Sequence, residues 1–318
     1  MKTIQTILVA VLIAQLLFAG GLYYSKKAKA VVRPEGALVE FDSAGIDRIE
    51  IEDQQGKVVL ARSDNGWGLP EYGDLPVQSS KVSAVLDSLN GVKTGWAVAT
   101  RASSHPQLEV AEDDFTRRVK LSSDEQIAAD VFIGTSPGLR RSHARRAGND
   151  EVYAIAINSY DLPADRSQWL AKDILSTEAE IDIVIEGNTL QRVDGEWKLT
   201  DAEGIQQNAK QDSAEDLVSA VKTLRVLDIA DDQPDDATET TLMTTAGDQT
   251  LTYTFLADNG NYIVRRSDID SPFKITRTVY EKLAEFDVTQ LLPDVEDSAA
   301  DSDDSAEVPD SESGSVEK

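Results

Sequence analysis

Apolar residues fall at alternate or near-alternate positions in two stretches of the chain, Ile46, Ile49 and Ile51, and Ile181, Ile183 and Ile185. A period near two puts the isoleucines on one face of an extended segment, so each stretch predicts a half-buried strand. In both places a polar turn leads to a second strand, over 57–63 and 189–193. Turn residues follow, Asp64-Asn65-Gly66 and Asp194-Gly195, and then a strand built on Trp67 and Leu69 or on Trp197 and Leu199. The period then lengthens. Val82, Val85, Leu86, Leu89 and Val92 share the spacing of Leu217, Ala220, Val221, Leu224 and Leu227, and each set covers one face of a helix. Strand patterns return at 117–121, 129–133, 142–147 and 152–157, and again at 240–244, 250–256, 262–267 and 272–276. Gly148-Asn149-Asp150 and Asp258-Asn259-Gly260 supply hairpin turns. Helical stretches are expected to close the two series, at 166–175 and 279–292.

The two series are copies. Leu60, Arg62, Asp64, Trp67 and Leu69 recur as Leu190, Arg192, Asp194, Trp197 and Leu199 at a single offset. The predicted fold class is therefore α+β, with two tandem repeats at 38–176 and 177–292. Each is a mainly antiparallel sheet carrying one long packed helix. Trp67, Leu69, Trp197 and Leu199 are read as the structural signature of the repeat.

The ends differ from this middle. Residues 3–25 carry no charge and include Ile4, Leu8, Val11, Leu12, Leu16, Leu17 and Leu22. At about 1.5 Å per residue such a run crosses a hydrocarbon core of about 30 Å. Tyr23, Tyr24, Lys26, Lys27 and Lys29 then mark an interface. Residues 1–30 are expected to form a transmembrane helix with a basic flank. The alternative is a cleaved signal peptide ending at Ala28-Lys29-Ala30. Residues 293–318 are mostly Asp, Glu, Ser, Ala and Pro without aromatics, and are expected to form a disordered acidic tail.

The isoleucine strand, the turn into Trp-x-Leu, the Val-Leu-x-x-Leu helix and the later Trp169-Leu170-x-x-x-Ile174-Leu175 segment resemble the family known as domain of unknown function 4340, over roughly 45–292. The resemblance implies a membrane-anchored protein similar to the auxiliary subunits that accompany ABC-2-type permeases, including gliding-type systems. The implied partners are the membrane, through one N-terminal span, and an ABC-type permease with its ATPase. The implied place is the inner membrane, with the bulk of the chain on the periplasmic side. The charge count pulls the other way, since only Lys2 precedes the run while Lys26, Lys27, Lys29 and Arg33 follow it. Export is the expectation, on the strength of the resemblance.

Composition narrows the chemistry. The 318 residues hold 57 acidic and 31 basic side chains, a net charge of −26, with two histidines and no cysteine. Thiolate catalysis, disulfides and Cys-ligated metals are excluded. So large a negative charge speaks against binding nucleic acid. There is no Gly-x-x-x-x-Gly-Lys-Ser/Thr loop, so ATP hydrolysis falls to a partner, and no Gly-x-Ser-x-Gly elbow. His105 is expected in a surface loop. No catalytic, metal or cofactor residues are expected. Against the acidic background, Arg140, Arg141, Arg145 and Arg146 cluster around His143. On a strand, Arg141 and Arg145 would share one face and Arg140 and Arg146 the other. The cluster is either a charged edge that resists aggregation or a docking site for an anion or partner. The expected function is that of a non-catalytic accessory subunit acting by protein or cargo binding. The alternatives are an envelope scaffold that binds anionic lipid or glycan, and a carboxylate-dependent hydrolase.

Overall fold

The structure is a computed structural model and describes residues 36–232 and 237–293, together with Gln15 and Phe18. The expected membrane run and acidic tail lie outside the described residues, except for positions 15, 18 and 293. Among the described residues no helix is long and apolar enough to cross a membrane. The chain divides into two compact units, Met1–Leu170 and Ala171–Lys318. Together they hold three α-helices among the described residues and two large sheets of nine strands each.

In the first unit the strands are β1 (Gly36–Ala37), β2 (Arg48–Glu52), β3 (Lys57–Ser63), β4 (Gly66–Leu69), β5 (Leu75–Pro76), β6 (Lys93–Thr94), β7 (Ala97–Ala99), β8 (Arg117–Ser123), β9 (Gln126–Ile133), β10 (Ser142–Arg146) and β11 (Val152–Ile155); helix α1 (Ser79–Leu89) follows β5. The large sheet runs β5-β4-β3-β2-β8-β9-β10-β11-β7, and β1 pairs separately with β6. In the second unit the strands are β12 (Asp182–Ile185), β13 (Asn188–Val193), β14 (Glu196–Thr200), β15 (Gln206–Asn208), β16 (Asp228–Ile229), β17 (Thr238–Ala246), β18 (Gln249–Asp258), β19 (Asn261–Arg266) and β20 (Ile269–Lys274). Helix α2 (Gln211–Lys222) follows β15, and α3 (Arg277–Leu283) follows β20. This sheet runs β15-β14-β13-β12-β17-β18-β19-β20-β16. The two orders correspond strand for strand, and the first unit adds the separate β1–β6 pair. Every ladder is antiparallel.

The correspondence extends to single bonds. Val77 N–H donates to Trp67 O (3.1 Å), and Ala209 N–H to Trp197 O (2.9 Å). These bonds fix where each helix starts. At the next residue, Gln78 N–H donates to Trp169 O and Lys210 N–H to Leu291 O, both at 2.8 Å. The closing segments are also built alike. Asp165 caps a 3-10 turn at Arg166–Gln168 through Ser167 N–H, and Asp287 caps Val288–Leu291 through Thr289 N–H. Capping suits Asp because its carboxylate accepts from an otherwise unbonded first-turn N–H.

Some expectations need correction. The stretch 166–175 is a single 3-10 turn rather than a helix, because Leu170 leaves it to bridge to Val77. The second closing stretch divides into α3 and its own 3-10 turn. In α2 the buried set is Ala214, Leu217, Val218 and Val221. Leu227 is exposed, because the helix ends at Lys222 and its period no longer applies. The isoleucines behave as their spacing demands: Ile49, Ile51, Ile183 and Ile185 are all buried.

Candidate functional site

The signature tryptophans are packing residues. Trp67, Leu69, Trp197 and Leu199 are all buried. Arg62 stands directly across the ladder from Trp67, and Arg192 from Trp197. Each guanidinium lies over the indole facing it, at 5.1 Å and 5.6 Å from the ring centroid. The recurring Arg-x-Asp-x-x-Trp spacing is thus a hairpin with a cation–π pair across its strands. In the second unit Trp197 Nε1–H also donates to Glu215 Oε2 on α2 (3.0 Å), which ties the sheet to its helix.

The four arginines of the basic cluster are separated by the fold. Arg140 lies before β10, with φ of 53° in a tight turn. Arg141 is exposed, and its guanidinium donates to Ala154 O. Arg145 is buried, at 3% exposure. Its Nε donates to Val110 O (2.6 Å), its Nη1 to Asn149 O (3.2 Å) and its Nη2 to Glu112 (3.1 Å). The guanidinium also lies 4.5 Å from the centroid of Phe132, and that of Arg118 lies 4.9 Å from the same ring. Arg118 is held in turn by two bonds to Asp130. Arg145 therefore staples the 102–116 loop to the sheet, and it is withdrawn from the proposed docking set. Arg146, next along the strand, is exposed.

Both histidines serve the same region. His143 is buried and its Nδ1 lies 2.8 Å from Thr135 Oγ1. Burial pushes its pKa down, with a hydrogen bond to Thr135 partly opposing. His105 was expected in a surface loop, but it is buried with Nε2 3.0 Å from Asp150 O. The strand alternation of β8–β11 did not show that this loop folds back over them and encloses Val110, Phe115, Phe132 and Val152.

Arg146 faces a groove of about 350 Å³. One wall is the backbone of Gly36, Ala37 and Leu38. A second is Thr94, Gly95 and Ala97. The third holds Arg146, Asn149, Glu151 and Tyr153 from the β10–β11 hairpin. Small residues on two walls leave main chain accessible. Beside the groove runs β7, an edge strand of the sheet. The sequence Trp96-Ala97-Val98-Ala99 there carries no charge and no proline, and Trp96 (59%) and Val98 (51%) are well exposed. The other sheet edges differ. Strand β5 ends in Pro76, β16 carries Asp228, and β15 is the polar Gln206–Asn208. An apolar edge without such protection invites strand pairing by another chain. Sequence reading missed it because a three-residue strand has no period to detect.

The second unit has a cleft of about 460 Å³ whose lining includes Asp231, Asp232, Asp258 and Lys274. Among the described residues no group of three or more His, Cys, Asp or Glu side chains is placed to hold a metal ion. No curated protein and no solved structure matches the chain. One family model does, over residues 67–244, which is more than half of the sequence and spans both units. On that match, the chain belongs to the family described as Domain of unknown function (DUF4340).

Proposed function

We propose that the chain is a non-catalytic, membrane-anchored accessory subunit that works by binding polypeptide, in an ABC-type transport system. In this reading residues 3–25 span the inner membrane once, the folded units stand on the periplasmic side, and the 293–318 segment is a solvated acidic tail. The observation that carries the binding role is the unprotected β7 edge beside the Arg146 groove, with Trp96 and Val98 exposed. Edge strands of this kind take a partner strand by main-chain pairing, while flanking pockets read its side chains. A non-catalytic role is supported by the histidines, which are occupied with structural bonds. The transporter setting rests on the family resemblance and on the lack of a phosphate-binding loop in the sequence.

The test is gentle detergent extraction of the native membrane, followed by identification of the co-purifying proteins. A multi-span permease and its ATPase should accompany the chain. The substitutions Trp96→Ala and Val98→Asp should release them while leaving the fold intact. Recovery of the chain always alone, or retention of both partners by the double variant, would overturn the reading.

A further inference from the structure

The turn between β9 and β10 has a shape and composition that packing does not account for. Gly138 and Arg141 form an isolated bridge, and Arg141 N–H donates to Gly138 O at 3.3 Å. Ser136 Oγ lies 2.7 Å from Gly138 O and 2.8 Å from Arg141 O, so its single proton is shared between the two sides of the turn. The guanidinium of Arg141 is steadied by Ala154 O. At the tip of this closed turn stands Leu139, 92% exposed, the highest value for a large apolar side chain among the described residues. Arg140 and Arg141 follow it, both exposed, and among the described residues neither forms an ion pair with a carboxylate.

Arg140 adds a second observation. Its φ of 53° lies in the left-handed region, where a Cβ is disfavoured and glycine sits freely. For folding alone, glycine is the better residue at this position. Among the described residues eight non-glycine side chains share a positive φ, and Arg140 is the one cation of that set, placed beside a fully presented leucine.

We propose that the Leu139-Arg140-Arg141 turn is a contact site for an anionic phospholipid surface. The leucine enters the boundary between headgroups and acyl chains, and the two guanidiniums bind lipid phosphates. The complementary charge is local: Arg140 and Arg141 stand exposed together at the turn, and they act against the repulsion that a net charge of −26 sets up between the whole chain and an anionic surface. The shape matches too: a convex apolar tip offers no concavity for a peptide, whereas a soft planar surface accepts it. Arg145 has no part in this site, because it is buried. Arg146 has none either, since it faces the groove from the far end of β10.

The sequence contains no cysteine, so Leu139→Cys in the full chain gives a single point for an environment-sensitive fluorophore. The chain is reconstituted into vesicles of phosphatidylcholine alone, or of phosphatidylcholine with phosphatidylglycerol at about 7:3, a proportion chosen to set a negative surface potential. The readout is local to the turn, so it does not depend on residues 3–25 spanning the bilayer. The expected result is a blue shift, with quenching by brominated lipid, only in the anionic vesicles. High salt should reverse it. Arg140→Glu with Arg141→Glu should abolish it, and a single Arg→Ala change should weaken it roughly fivefold. Arg140→Gly is the decisive variant, because it should raise the melting temperature while it reduces the lipid response. Equal signals in the two vesicle types, an undiminished response in the charge-reversed protein, or a full response in Arg140→Gly would each overturn the proposal. So would an equal shift with polyglutamate and no lipid, which would indicate an acidic polypeptide instead.

Discussion

Arg145 and His143 show how polar residues come to serve a core. Arg145 spends its donors on Val110 O, Asn149 O and Glu112, which sit on two separate loops. Truncation leaves the buried Val110 carbonyl without its donor, so Arg145→Met should cost about 2 kcal/mol in urea unfolding. Glu112 is 62% exposed, so Glu112→Gln should cost less than about 1 kcal/mol. Equal losses would show that the ion pair, rather than the carbonyl contacts, is what matters. His143 carries a pH signature. Burial holds its folded pKa below the ordinary value of 6.5, so below about that pH the unfolded chain binds the proton better. Stability from this group is therefore complete above pH 6.5 and declines as the pH falls through that value. Comparing His143→Gln with the parent protein between pH 7.5 and 5.5 should show the slope in the parent alone. The arginine motif itself was legible as an anomaly of charge, but its division into a staple, a turn and a groove wall was not. Burial depends on a loop that arrives from thirty residues away.

At the scale of elements, legibility followed length. The isoleucine strands, the tryptophan hairpins and the long β17 and β18 have enough residues for a period to register, and they lie close to where that period puts them. Strands β1, β5, β6, β7, β15 and β16 have two or three residues each, and they form through register with a neighbour rather than through their own pattern. The edge that carries the binding proposal is among them. Another feature hidden from pattern reading is Gly134, just past β9. A Cβ there would stand 1.9 Å from Leu108 O and 2.6 Å from Glu109 O, both of them main chain. Gly134→Ala should therefore cost about 3 kcal/mol by forcing the 102–116 loop off the sheet. Hydrogen exchange should show the loss of protection starting at Val110 and Thr135. By contrast Gly138, with open space around it, should accept alanine at little cost.

At the scale of the molecule, the chain holds one frame twice. The matched strand orders, the paired helix-start bonds and the two Asp-capped closures make each unit a complete solution with its own core. Removing a buried tryptophan should then act locally. Trp67→Ala and Trp197→Ala should each cost about 4 kcal/mol, and hydrogen exchange should place the loss in the unit that carries the change. Loss of protection throughout both units from either variant would show that they unfold as one. The repeat was readable from a handful of rare residues because a cation–π hairpin fixes both the spacing and the identities.

The shared homology segment starts inside β4 and stops inside β17. A fragment cut at those limits would lose β1, β2 and β3 at one end and β18, β19 and β20 at the other. Strands that lie mid-sheet would become bare rims, open to self-association. Anyone preparing a piece of this protein should cut where the polypeptide passes from Leu170 to Ala171, since a boundary inferred from relatedness would sever both pleated layers.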